Sequence, residues 1–329
     1  MWRKKFFDGT ELGLSKPFTL TNLQFVHLPR LTVANTILLD SGELRCSLQP
    51  THRIGRGGHG VLTEYIRNGT YVLLKTSQLD DQSVRIEAFV QWLAHKIFTQ
   101  LKLGIRIPQV LDIVKLPDNT EGFTMVEYTD AQLASRWILE SNSFEKDFYH
   151  LLIQAAILLQ ILEDALNLDH RDLKADNLLI LEEPSSLSYL CSKNNKRYTV
   201  YSPFTVAIVD FGFACLGDEG KLTEIDAGEG TLPPLDPCPK DGRDLFHLLV
   251  SLYGMDGFRN LLTPRLVETF SVWLSVKDKS CESLARRWSH SEWIYLLTSR
   301  KEFLHPACTP RAIIEKIHSL DPTLFTSLP

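Results

Sequence analysis

What the sequence lacks narrows its class first. Its six cysteines, Cys46, Cys191, Cys215, Cys238, Cys281 and Cys308, include no Cys-x-x-Cys pair, and a chain of 329 residues has core enough not to need disulfide staples. They read as reduced thiols of an intracellular protein, cytoplasmic or nuclear. No cluster of zinc-like spacing appears. Positive charge is not in excess either. There are 35 Lys and Arg against 40 Asp and Glu, a net charge of −5, which argues against a dedicated nucleic-acid surface. Long apolar runs are missing too. The most apolar stretch, Leu151 to Leu162, is broken by Gln154 and Gln160 and falls short of the roughly 20 residues that a membrane span requires. The basic start meets Asp8, Gly9 and Glu11 before any apolar run could act as a leader. The expectation is a chain with no targeting or spanning segment and no membrane partner. At 44% hydrophobic and 23% charged residues, the composition suits one large domain or two lobes.

Residues 1–48 carry short apolar runs between Pro17, Pro29 and Gly42. The pattern is one of strands and turns without recognisable chemistry, and an extension packed on the next region is expected. Ile54-Gly55-Arg56-Gly57-Gly58-His59-Gly60-Val61 follows. Glycines at this spacing suit both dinucleotide folds and phosphate loops, because a backbone without Cβ can close over phosphates. The next run, Tyr71 to Lys75, is strand-like, where a dinucleotide unit would place a helix. Ser83 to Leu101 repeats Ile86, Phe89, Val90, Leu93, Ile97 and Leu101 at helical spacing, and Glu87 is the only acid between Gln82 and Gly104. Gly122 to Tyr128 alternates as a strand. Phe144 to Leu168 has the length of a helix and is apolar on nearly every side in its middle, as a buried helix is.

Next comes His170-Arg171-Asp172-Leu173-Lys174-Ala175-Asp176-Asn177, then an apolar strand, Leu178 to Leu181, and later a strand from Val206 that runs into Asp210-Phe211-Gly212. Carboxylates, an ammonium and a carboxamide in this order make a set suited to a magnesium-bound phosphate. In this strand context the octet and the Asp-Phe-Gly resemble the catalytic loop and metal-binding segment of the protein kinase superfamily. The resemblance covers about residues 50 to 320. It implies an α+β, bilobal fold, with a small, mostly β lobe over residues 49–128 and a larger, mostly helical lobe over residues 129–329. Its divergence resembles that of kinases encoded by large DNA viruses.

The resemblance also implies ATP and Mg²⁺ as cofactors and proteins as substrates, with a monomer as the default state. Asp172 is then the base for the substrate hydroxyl, and Lys174 stabilises the transferring phosphoryl group. Lys75 grips the α- and β-phosphates and Glu87 is its ion-pair partner. Thr231, in Gly230-Thr231, bridges the catalytic aspartate and lysine. Gly55, Gly57, Gly58 and Gly60 cover the phosphates, Glu127 and Thr129 offer backbone groups to the adenine edge, and Leu179 lies with the nucleotide. Asp130 or Gln132 is within reach of the ribose, or is a cap or a solvated residue. Asn177 and Asp210 hold the metal. Asp244 opens a buried helix, Asp244 to Leu252, and ties down the His-Arg-Asp backbone. Lys174, two places after Asp172, is the serine/threonine pattern, so the implied activity is that of a serine/threonine protein kinase.

Departures keep other readings open. Leu62 and Leu73 stand where the family has smaller or differently placed residues above the adenine, Gln91 where it has an apolar one, and Pro233-Pro234-Leu235-Asp236 where it has Ala-Pro-Glu. A pseudokinase acting as a binding module is therefore the second reading, and a small-molecule kinase the third. Between Phe213 and Thr231 the acids Asp218, Glu219, Glu224, Asp226 and Glu229 could replace an activating phosphate, or Thr223 could carry one. Residues 182–203 are longer than the family requires and are expected to form an extended hairpin with arms at Ser188 to Cys191 and Arg197 to Tyr201. Helices are expected over Leu261 to Leu274, Ser291 to Leu297 and, after the cap Thr309-Pro310, Arg311 to Ile317. Trp273, Trp288 and Trp293 are expected in the core.

Overall fold

Side-chain alternation builds the first sheet. In Thr70–Ser77, Val72 and Leu74 are buried while Leu73 and Lys75 take the opposite face, the period of two that a pleated strand imposes. The computed structural model describes residues 30–33, 37–38, 47–56, 60–67, 70–77, 81–115, 121–128, 130–191, 196–216, 239–288 and 292–327. The chain divides into two compact units. The first holds Met1–Thr129, Asp210–Ala214 and Ile225–Gly228, and the second the remainder. Strands dominate the first unit and helices the second, the α+β division that the sequence implies.

In the first unit, Arg30–Val33 (β1), Ile37–Leu38 (β2), Ser47–Arg56 (β3), Gly60–Arg67 (β4), Thr70–Ser77 (β5), Val110–Lys115 (β6) and Glu121–Val126 (β7) close into a barrel. Their order is β1-β2-β3-β4-β5-β7-β6, with β1 parallel to β6. Part of the N-terminal extension thus supplies barrel strands. The helix Asp81–Gln100 (α1) begins two residues before the expected Ser83. Its Ala88 joins Val110, Phe123 and Met125 in a core against which Leu62, Leu73 and Trp92 pack. Gln91 is buried inside this unit. Its amide donates to the Pro108 carbonyl oxygen at 2.9 Å and lies 3.4 Å from Met125 Sδ, so the polar group that departs from the family pattern is satisfied.

In the second unit, Gln132–Leu133 (β8) leads into Ala134–Leu139 (α2) and Phe144–Leu166 (α3). The helix α3 stops two residues before the expected Leu168, because Asn167 adopts the left-handed conformation (φ 53°) that closes helices. It is continuous, as expected, through the two glutamines that break its apolar run. Gln154 is buried, with its amide nitrogen 3.1 Å from both Ser202 Oγ and the Phe204 carbonyl oxygen and its oxygen accepting from Val206 N–H. Among the described residues this helix is long and apolar enough to cross a membrane, and most of it is buried within its own unit. Around its start, Phe148 packs with Phe144, Phe258 and Phe270 at centroid distances of 5.7–5.9 Å.

Leu168–Asp169 (β9) enters the loop that carries the octet, and Leu178–Leu181 (β10) leaves it. Ser185–Cys191 (β11) and Lys196–Ser202 (β12) form the expected hairpin, longer at its base than the sequence suggests. Thr205–Ile208 (β13) completes the sheet β13-β10-β8, and Cys215–Leu216 (β14) pairs with β9. The helices that follow are Arg243–Gly254 (α4) and Pro264–Trp273 (α5), then, after the small pair Ser275–Val276 (β15) and Lys279–Ser280 (β16), Glu282–Arg287 (α6), Glu292–Thr298 (α7) and Pro310–Leu320 (α8). Thr309 caps α8 by accepting from Ala312 N–H, with Pro310 at the first helical position. Phe325–Ser327 (β17) then adds a third strand to the hairpin by pairing with β12, which the sequence pattern does not announce.

Two expectations fail in this unit. Cys215 is disulfide-bonded, against the reading of thiols throughout, whereas Cys281 and Cys308 are free and buried. Of the tryptophans, Trp273 is a core residue, but Trp288 is 46% exposed. The Arg287 guanidinium covers its ring at 4.8 Å, an arrangement in which the cation and the indole face attract without burial.

Candidate functional site

The first unit brings Lys75, Glu87 and Asp210 together. Strand register puts Lys75 opposite Phe123 and Leu62, on the α1 side of the sheet, and Glu87 lies one and a half turns into α1. Lys75 Nζ is 2.5 Å from Glu87 Oε1 and 2.7 Å from Asp210 Oδ1. Burial alone would lower the affinity of the ammonium for its proton, but the charges of Asp210 and then Glu87 overcome it and raise the pKa above the ordinary lysine value. Burial pushes the Glu87 carboxyl up to about 7, against the pull of Lys75 and of the Phe211 backbone N–H. Asp210 takes φ 65°, a left-handed conformation that costs a non-glycine residue on the order of 1–3 kcal/mol and collects at functional sites. Phe211 is fully buried.

Gly60 opens β4. A Cβ there would sit 2.7 Å from the Thr76 carbonyl oxygen, a clash with backbone that cannot move aside. Close strand pairing therefore demands this glycine, whatever the loop before it covers. Gly55 lies in β3, whereas Gly57 and Gly58 lie outside the described residues, as do Thr129, Thr223, Thr231, Asp236 and the acids 218–229. Glu127 directly follows β7 and is half-buried.

The second unit holds Asp172, Lys174 and Asn177 on a tightly tied loop. Asp172 is 3% exposed. Its Oδ2 lies 2.9 Å from Lys174 Nζ and 3.1 Å from Asn177 Nδ2, and Asn177 Nδ2 also donates to the Asp172 carbonyl oxygen at 2.8 Å. Committing the amide nitrogen in this way turns the Asn177 carbonyl oxygen to the other side. Arg171 takes φ 65°. The strain is held from α4, where Asp244 accepts the backbone N–H groups of His170 at 2.6 Å and Arg171 at 2.8 Å. Ser251, two turns further along α4, accepts from Ala175 N–H at 3.2 Å. Burial and then the neighbouring Asp169 push the Asp244 carboxyl up to about 7. Leu179 is half-buried in β10, Asp176 is exposed and accepts from the Ser135 hydroxyl, and Asp130 and Gln132 are exposed.

Two neighbours of this loop escape sequence reasoning. Asp169, just before the octet, receives Arg243 Nε at 2.9 Å and the Lys240 backbone N–H at 2.7 Å. Arg243 and Asp169 are both almost fully buried. A signal existed, since complementary charges flank His170 on one side and Asp244 on the other. Tyr295 of α7 donates its hydroxyl hydrogen bond to Asp172 Oδ1 across a sequence separation of 123, and no local pattern marks it.

No family model matches the sequence. A curated probable kinase of Invertebrate iridescent virus 3 is 27% identical over 97 residues, which is 30% of this chain and 18% of that relative. Over those 97 residues the chain is similar to a probable kinase. The match spans under a fifth of the viral kinase's length, so the activity of that whole protein does not transfer with it. Among solved structures, the kinase domain of PF14_0431 aligns at 16% identity and a TM-score of 0.39, over 69% of this chain and 61% of that one. In this chain the lysine, the glutamate and the Asp-Phe-Gly aspartate meet within one unit, and the octet's aspartate, lysine and asparagine meet within the other.

Proposed function

We propose that the chain is a serine/threonine protein kinase that transfers the γ-phosphoryl group of ATP to protein hydroxyls, with Asp172 as base. The observation that carries this reading is the Asp172 carboxylate. One of its oxygens is held by an ammonium and a carboxamide and the other accepts from a hydroxyl, on a loop whose backbone is pinned by Asp244. A carboxylate in this state can orient an acceptor hydroxyl and take its proton. Lys174, already at the carboxylate, is placed to offset charge on the transferring group, and Lys75 supplies a permanent positive charge for nucleotide phosphates.

Asn177 and Asp210 would hold magnesium. Carboxylate and amide oxygens are the hard donors this ion takes, and the commitment of Asn177 Nδ2 leaves that residue's oxygen for such a role. The ion would neutralise phosphate charge. Gly55, Gly57, Gly58 and Gly60 would cover the phosphates, Glu127 and Thr129 would meet the adenine edge, Leu179 would lie with the base, and Thr231 would bridge Asp172 and Lys174. The protein would act inside cells, as a monomer.

The test is transfer of radiolabelled phosphate from ATP to generic basic proteins, with Asp172→Ala and Lys75→Met beside the wild type. A wild-type signal well above both variants is expected. A signal no higher than theirs leaves the pseudokinase reading, which the departures at Leu73, Gln91 and Pro233-Pro234-Leu235-Asp236 keep open. Transfer to small alcohols but not to proteins would select the small-molecule kinase.

A further inference from the structure

An aspartate that is to receive an acceptor hydroxyl needs an oxygen on which to seat it. On Asp172 that seat is taken by the chain itself. Lys174 and Asn177 hold Oδ2, and Tyr295 donates its phenolic proton to Oδ1. The tyrosine is not a stray surface side chain. Its ring lies edge-on to the His247 imidazole, with centroids 5.5 Å apart at 76°, and His247 is wholly buried in α4. Three residues along α7, Thr298 bonds the same histidine at 2.9 Å. The Thr298 carbonyl oxygen accepts from Lys240 Nζ at 2.6 Å, and the Arg300 carbonyl oxygen from the same ammonium at 3.1 Å. The helix is therefore fastened at the turn that follows the tyrosine, and the fastening aims the phenol at the carboxylate.

We infer that Tyr295 is a phosphoacceptor of its own chain: a tyrosine modification site seated where an acceptor hydroxyl must sit. This rests on the phosphotransfer reading above. In the step, Asp172 Oδ1 takes the phenolic proton as the Tyr295 oxygen forms a bond to the γ-phosphorus of a nucleoside triphosphate. The bond from that phosphorus to the β,γ-bridging oxygen breaks, and the nucleoside diphosphate leaves with the electron pair. The proton then passes from Asp172 to solvent. Because base and acceptor belong to one unit, the reaction is first order in protein. Once formed, the phosphotyrosine carries too much negative charge to remain against the Asp172 carboxylate, so the modification also clears the seat for other acceptors.

The full chain, freed of phosphate by phosphatase, would be incubated with Mg·ATP and read by peptide mass spectrometry, beside Asp172→Asn, Tyr295→Phe and Tyr295→Ser. Phosphate on Tyr295 at a rate per molecule unchanged over a hundredfold dilution is expected, with none in Asp172→Asn. Tyr295→Ser should stay unmodified at residue 295, because its hydroxyl falls short of the carboxylate by the length of the ring. Tyr295→Phe should phosphorylate added protein at least as fast as the wild type before self-modification. An unmodified Tyr295 in a preparation that does phosphorylate added protein overturns the inference and leaves the kinase reading standing. Modification that slows per molecule on dilution overturns it as well, since the acceptor would then belong to another copy. No transfer to Tyr295 or to added protein overturns both.

Discussion

Lys75 and Asp172 are held by different physics. In the first unit one ammonium is shared by two carboxylates, so the arrangement depends on which of three groups is ionised. In the second unit the carboxylate sits on a loop whose backbone is bonded to side chains of a buried helix, Asp244 and Ser251. Charge sets the first arrangement and scaffold the second. The contrast teaches that the two clusters should fail differently: the first on changing pH, the second on loss of buried ties.

The largest effect should come from the reacting groups. Asp172→Asn is expected to lower transfer to protein by roughly 10²–10⁴-fold, the usual worth of a positioned base, with a urea midpoint close to wild type. A midpoint that fell with activity would show that Asp172 is part of the scaffold and break the contrast. Next is the buried tie at Asp169. Arg243→Leu removes the cation from an aspartate that is almost fully buried and should cost about 3–5 kcal/mol, as broken buried pairs do, read by chemical denaturation. Loss of activity should follow loss of folded protein.

A smaller effect separates the units by pH. The Glu87 carboxyl is pushed up to about 7 from an ordinary 4.5, so it is mostly neutral at pH 6 and mostly ionised at pH 8. If the ionised form is what aims Lys75, kcat/KM for ATP should rise about tenfold over that span for a single titrating group, and Glu87→Gln should flatten the rise. Stability runs the other way. A carboxyl whose folded pKa lies above its unfolded value contributes stability that is full below 4.5 and is lost as pH rises through 7. Glu87→Gln should therefore gain relative stability above pH 7. The smallest change concerns the scaffold alone: Thr309→Ala removes the cap of α8 and should cost about 1 kcal/mol without altering KM for ATP, measured by thermal melting and steady-state kinetics.

Much of this was legible because it is local. Leu178–Leu181 has the bounds expected from four apolar residues in a row, the hairpin arms show in alternation around a polar tip, and Thr309-Pro310 announces its helix. The end of α3 differs from the expected Leu168 because Asn167 takes the left-handed conformation that ends it. Trp288 lies outside the core in which it is expected, because a neighbouring arginine gives its face a partner at the surface. The long-range ties were harder. Asp169 with Arg243 could be paired only once the flanks of two motifs were compared, and nothing adjacent to Tyr295 distinguishes it from other tyrosines. Gly60 belongs to a spacing that suits phosphate, while the backbone of β5 already requires it.

The third strand of the hairpin sheet carries a consequence for how the protein is made. β12 is complete by residue 202, but the strand that covers its edge is Phe325–Ser327. At the usual pace of about 5–20 residues per second on the ribosome, β12 waits with that edge uncovered for a time on the order of ten seconds. Unpaired strand edges invite neighbours, so crowded polysomes bearing this message are where nascent copies would meet edge to edge. Slowing translation after residue 202 should lengthen that exposure and lower the yield of soluble chain.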